Sequence, residues 1–170
     1  MAHPLYSASV PMFVKMLEAF DRILAKTEKH VEERKIDPDA LLQARLFPDM
    51  FPFVRQVQIA CDFAKSVPAR LAAVEVPSYE DNERTFADLH ERIAKTLKFI
   101  GGIDAAKFDG AEQREVVLRP GTPRERKFDG GESYLLKYGI PQFFFHVTTA
   151  YDLLRHNGVE LGKADYMGER

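Results

Sequence analysis

The chain has one cysteine, Cys61, among its 170 residues. A single thiol excludes an internal disulfide framework and fits a reducing compartment. Neither sign of charge is in surplus: 24 Lys and Arg stand against 26 Asp and Glu, for a formal net charge of −2. The basic residues are scattered and often sit beside acids, as in Glu32-Glu33-Arg34-Lys35. Such a balance makes no electrostatic footprint for nucleic acid or an anionic membrane, so neither partner is expected. No apolar run approaches the roughly 20 residues needed to span a bilayer. The opening Met1-Ala2-His3-Pro4-Leu5-Tyr6 has no basic stretch leading into an apolar one, so no secretory signal is read there and the expected location is the cytoplasm. Gly101-Gly102 and Gly130-Gly131 do not make phosphate loops, because neither has the strand-to-helix context and no Gly-Lys-Ser/Thr is present.

What the chain does have is enough apolar residue, 45% against 29% charged, to bury a core in one domain spanning residues 1–170. The apolar residues recur at helical spacing in four long segments. Val10, Phe13, Leu17, Phe20, Leu24 and Val31 mark the first, read from Ser9 to Arg34 with Ser9 as N-cap and Pro11 in the first turn. Asp37-Pro38 pairs a cap with a first-turn proline and predicts a short extra helix to Leu46. Phe53, Val57, Ala60, Ala64, Val67 and Leu71 share a face of the second long helix, residues 53–71, with Cys61 beside them as a buried, inert thiol. Phe86, Leu89, Ile93, Leu97 and Ile100 stripe the third, read from Glu80 to Ile100 and closed by Gly101-Gly102 as a left-handed cap. Arg114–Arg119 and Glu125–Phe128 flank Pro120-Gly121-Thr122-Pro123, which predicts a small surface hairpin. The fourth long helix begins near Glu132, with a break expected at Gly139-Ile140-Pro141. The fold class is therefore all-α, a four-helix bundle whose long third-to-fourth connection can cross it.

His146 is the most informative single residue. Steps of three and four from it reach Phe143, Ala150, Leu153 and Leu154, so it points inward. An inward histidine is either a hydrogen-bonded core residue or the remnant of a metal site. A metal needs about three protein ligands, and the positions one turn either side are Gln142 and Ala150. Buried polar groups need partners. Gln56, Gln142, His146 and Tyr151 are accordingly grouped as a candidate polar cluster, either interhelical glue or a small pocket for a polar ligand. Gln58 flanks the same face, and His90 borders the stripe of the third long helix. The tail Leu161–Tyr166 is read as docking over one end of the bundle, with Lys163 or Asp165 available for an ion pair.

The segment Phe143-Phe144-Phe145-His146-Val147-Thr148-Thr149-Ala150-Tyr151-Asp152-Leu153-Leu154-Arg155-His156-Asn157-Gly158-Val159-Glu160-Leu161-Gly162-Lys163-Ala164-Asp165-Tyr166, with Met50–Lys65 and Phe86–Leu97, closely resembles the signature of a bacterial family, domain-of-unknown-function family nineteen-ninety-three. That family is similar to a branch of the DinB/YfiT-like metalloenzyme superfamily. The resemblance implies a DinB-like four-helix bundle, commonly a homodimer. Many relatives hold a divalent metal, such as Zn or Ni, through one histidine on the second long helix and a His-x-x-x-His pair on the last. Some act as metal-dependent thiol transferases or isomerases. His146 matches the second histidine of that pair; the first falls at Gln142, and the second-helix histidine falls at Gln56 or Gln58. The resemblance thus implies one ligand of three and a polar replacement of the rest. Three functions follow as expectations: a bundle protein without established catalysis, with no cofactor; a divergent metal-dependent hydrolase or thiol transferase centred on His146 and helped by a second histidine such as His90; and a small-molecule binding protein.

Overall fold

A computed structural model describes residues 3–169. Helix α1 spans Pro4–Arg34, α2 Pro38–Leu42, α3 Phe53–Leu71 and α4 Phe86–Gly101. A two-stranded sheet follows, β1 Val116–Leu118 against β2 Arg126–Phe128. Then come α5 Gly131–Tyr134, α6 Ile140–His156 and α7 Lys163–Tyr166. The four long helices form a ring in which α1 packs on α4, α4 on α3, α3 on α6 and α6 back on α1. The elements from α4 to α6 therefore cross a diagonal of the bundle, which is why that connection is long. No helix among the described residues is long and apolar enough to cross a membrane.

The helix ends follow local chemistry, and several differ from the periodicity reading. Helix α1 starts at Pro4 rather than after Ser9, with proline in its first turn. Ser9 is buried inside the helix, where its hydroxyl donates to the Leu5 carbonyl at 2.5 Å, so it caps nothing. Asp37 does cap α2, accepting from the Asp39 N–H at 3.0 Å. That helix stops at Leu42, short of Leu46. Phe47 precedes Pro48, a position that proline pushes out of helical backbone.

Helix α4 begins at Phe86, the first residue of its stripe and six residues after the expected start at Glu80. Thr85 and Asp88 form a reciprocal capping box, Asp88 N–H to Thr85 Oγ1 at 3.1 Å and Thr85 N–H to Asp88 Oδ2 at 2.9 Å. Residues 79–84 are left as an extended loop. Gly102 has a φ of −87°, so the helix does not end in a left-handed cap. The hairpin occurs where expected, with Val116 opposite Phe128. It is not merely superficial, because Val116 and Leu118 are buried in the core.

No break separates α5 from α6. Residues Leu135–Gly139 form a π-turn that joins them into one helical path. Pro141 carries no N–H to return to the preceding turn, and a locally widened turn is a common way to absorb that loss. Gly139 also lies so close to α3 that a Cβ there would come 2.8 Å from Val67 Cγ2. The tail docks as expected: α7 packs on α1, with Asp165 paired to Lys26.

Candidate functional site

His146 sits on α6 facing α3, with only 7% of its surface exposed. Its Nδ1 lies 2.7 Å from Oε1 of Gln56, which is itself buried. The Gln56 Nε2 donates to the Phe51 carbonyl at 3.1 Å. The amide orientation is thereby set: Oε1 faces His146 as an acceptor, so Nδ1 carries the imidazole proton and Nε2 keeps a lone pair. Phe63 stacks on the imidazole, with 6.1 Å between ring centroids and 12° between planes. Phe145 meets it edge-on at 5.1 Å. Burial, helped by the charge of Arg55, pushes the His146 pKa down from the usual 6.5 to about 4. The ring is therefore neutral at pH 7.

The structure brings together two of the four residues grouped from sequence. Gln142, one turn before His146, is half-buried and forms no hydrogen bond among the described residues. Tyr151 stands apart from the pair, packing edge-on against Tyr166 at 5.5 Å. Five positions along a helix amount to well over a third of a turn away from the His146 direction. Between the two glutamines of α3, Gln56 is the one that meets His146. Gln58 points elsewhere, donating to Glu83 Oε2 at 2.8 Å.

His90 does not converge on His146. It bridges α4 to α1, with Nδ1 2.5 Å from Asp21 Oδ1 and Nε2 3.1 Å from Glu28 Oε2. Burial opposes its charge, but the two carboxylates outweigh burial and its pKa is raised. The carboxylates approach opposite nitrogens, so they cannot share one metal ion with the ring. Cys61 is fully buried, and burial pushes its pKa up to about 12. It is a thiol, not a nucleophile.

A second buried network escaped the sequence reading. Arg92 of α4 is 3% exposed. It donates to Glu83 Oε1 at 2.7 Å, to the Glu80 carbonyl at 2.9 Å and to Asp62 Oδ1 at 2.9 Å, and stands 3.0 Å from Asp81 Oδ1. Burial works against its charge, but these acidic partners raise its pKa further. Its Nε–H alone has no partner among the described residues. The Tyr79 ring lies beneath, with Lys65 Nζ 3.8 Å and Lys95 Nζ 4.1 Å from its centroid. Arg55 links the two networks: it donates to Gln58 Oε1 at 3.1 Å, pairs with Asp81 and bears on His146. The network ties the loop before α4 to α3. One signal for it was present, since Arg92 falls three residues after Leu89 and four before Thr96, on the inward side of α4.

The donor set around His146 does not fit the metal that the superfamily resemblance implies. A transition-metal site takes about three imidazole, thiolate or carboxylate ligands from the protein. Here Nδ1 is committed to Gln56, and the Gln56 oxygen is committed to Nδ1. Only one imidazole nitrogen remains. Among the described residues, no group of three or more His, Cys, Asp or Glu side chains is arranged to hold a metal ion.

A family model described as a domain of unknown function (DUF1993) matches residues 5–167. Comparison with curated proteins finds no match. Among solved structures, the chain is similar to the crystal structure of a DinB family member protein from Shewanella denitrificans. The two are 41% identical over 96% of this chain and 92% of that one, with a TM-score of 0.89.

Proposed function

Because the chain belongs to the DUF1993 family of DinB-like bundles, we propose that it is a bundle protein in which a glutamine–histidine pair replaces the metal centre of its superfamily. The observation that carries this reading is the 2.7 Å contact between His146 Nδ1 and Gln56 Oε1. A metal would bridge the second and last long helices; here a hydrogen bond does so. The pair works as a polar tie between α3 and α6, without cofactor and without metal-assisted catalysis. A homodimer is the proposed assembly. Phe47 is 64% exposed, Phe51 53% and Phe145 55%, and Phe51 and Phe145 flank the pair directly. Large apolar side chains facing water support self-association.

Elemental analysis of protein purified without an affinity tag tests the first part. The expected result is no stoichiometric transition metal. Stoichiometric metal that disappears in a His146→Ala variant would overturn the reading. Sedimentation of the wild type and of Phe145→Glu tests the second part, a dimer and a monomer being expected.

One observation favours a second reading, a small-molecule binding protein. The His146 Nε2 lone pair has no partner among the described residues, so a ligand with an N–H or O–H donor would find an acceptor between two aromatic rings. A thermal-shift screen across a metabolite panel, repeated on His146→Phe, separates this from the first reading.

A further inference from the structure

The hairpin carries three arginines whose guanidinium groups have no carboxylate partner among the described residues. Arg119, Arg124 and Arg126 lie on or beside its turn, in a protein whose net charge is −2. None of their guanidinium groups has a hydrogen bond or ion pair among the described residues. The nearest carboxylate in sequence, Glu125, accepts from the Gly121 N–H at 2.6 Å and stands 4.0 Å from Lys127.

Two cavities meet at this place. Arg119, Arg124, Arg126 and Tyr138 line one of about 430 Å³, together with Glu125, and the Arg126 guanidinium stands over the Tyr138 ring at 5.5 Å from its centroid. Arg70, Arg119, Phe63 and Tyr138 line its neighbour of about 180 Å³. Arg119 and Tyr138 belong to both walls. Asp62, the one carboxylate of the smaller cavity, is already held by Arg92 at 2.9 Å and Lys65 at 2.7 Å. Arg119 has a φ of 50°, a left-handed conformation that glycine adopts freely and arginine only under strain. A strained residue at the junction of two cavities, with an unpaired cation, is the pattern of a binding position rather than of a turn chosen for stability.

We propose that the paired cavities bind a small planar organic anion. Its carboxylate or phosphate group is held by the guanidinium forks of Arg119 and Arg126, and its ring lies against Tyr138 and Phe63. Guanidinium matches a planar or tetrahedral oxyanion with two parallel hydrogen bonds, and aromatic side chains supply the apolar contact. The larger cavity is within the size range of small-molecule sites. This site uses neither Gln56 nor His146, shares with them only the Phe63 ring that stacks on His146, and is tested by its own arginines.

An NMR titration of the whole protein at low salt tests the proposal, following the arginine side-chain N–H and Tyr138 ring signals. The probes are phenyl phosphate, benzoate and inorganic phosphate. Saturable shifts at Arg119, Arg126 and Tyr138 are expected, with at least one ring-bearing probe bound more tightly than inorganic phosphate. Preference for phenyl phosphate assigns a phosphate monoester, and preference for benzoate a carboxylate. Arg119→Gly removes the cation while relieving the backbone, so binding should weaken about ten- to hundredfold, the loss of a charge-assisted hydrogen bond, with Tm unchanged or higher. Arg126→Gln should weaken it likewise. The proposal is overturned if neither ring compound saturates at millimolar concentration, if inorganic phosphate binds as tightly as both, if both variants bind like wild type, or if a short single-stranded oligonucleotide outcompetes them.

Discussion

The imidazole of His146 lies parallel to the ring of Phe63, 12° apart in plane and 6.1 Å apart in centroid. Phe63 and Gln56 are two turns apart on α3 and so share one face. One helix thus supplies both the hydrogen-bond acceptor for Nδ1 and the cover for the ring. A neutral imidazole suits such a place, because a charge there would have to be stripped of water with no carboxylate to receive it.

Gln56→Ala is expected to destabilise the fold by about 1–3 kcal/mol, because it leaves the His146 Nδ1–H without an acceptor and the Phe51 carbonyl without a donor. Urea unfolding monitored by circular dichroism measures this. A loss under about 0.5 kcal/mol, the range of ordinary surface substitutions, would mean that the pair is not a structural tie.

Installing histidine at both 56 and 142 should build a three-imidazole zinc site with His146. Positions 142 and 146 are one turn apart on α6, and Gln56 already reaches the His146 ring. Competition against a zinc-chelating dye is expected to give one ion per chain for that double variant. The same change at 58 and 142 should not, since Gln58 faces Glu83. Equal zinc binding by the two variants would contradict this geometry.

The two histidines should tilt stability in opposite directions with pH. His146 has its pKa lowered to about 4 against about 6.5 in the unfolded chain. Between those values the unfolded state binds more protons, so stability falls as the pH drops from 6.5 towards 4, by at most about 3 kcal/mol. His90 has a raised pKa. Its contribution is complete below pH 6.5 and is lost as pH rises through its folded value, when the neutral ring can donate to only one of Asp21 and Glu28. Urea titrations across pH, taken as wild type minus variant, check both. His146→Asn should remove the acid-side slope and His90→Gln the alkaline one. A slope that survives its own substitution would show that another group is responsible.

Arg92→Ala is expected to cost about 3–5 kcal/mol, the usual penalty for leaving buried charges without their partner. Glu83, Asp62 and Asp81 all face the guanidinium. The loop from 79 to 84 should then open, so limited proteolysis ought to cut there first. Arg92→Lys should recover only part of the loss, because one ammonium cannot reproduce a fork that serves several acceptors at once. An unaltered cleavage pattern in Arg92→Ala would mean the loop is held by other contacts.

The bundle was legible because burial imposes a 3.6-residue period, and that period is visible wherever a helix has one wet face. Helix α3 was read from about Phe53 to Leu71, which are its ends, with Pro68 carried inside it. Ends were harder, because a stripe does not say where its helix starts. At Thr85 a capping box decides the matter, and the apolar stripe likewise begins only at Phe86, since residues 80–85 carry no apolar side chain. Pro11 and Pro141 misled for the same reason: both are carried within helical backbone, and neighbouring turns absorb their missing N–H groups. The inward aim of His146 was legible too, since it depends only on position along α6.

Its partner was not. Gln56 and Gln58 are equivalent candidates along the chain, and only the packing of α6 on α3 selects the first. Arg92 shows the same limit more plainly. Its acidic partners come from α3 and from a loop that no periodicity describes, and their convergence depends on where that loop folds back. By itself, the order of residues determined which segments are helical and which faces are buried, because hydrophobic burial acts locally along each helix. Tertiary structure alone decided which polar groups meet, because hydrogen bonds and ion pairs depend on distances between elements far apart in the chain.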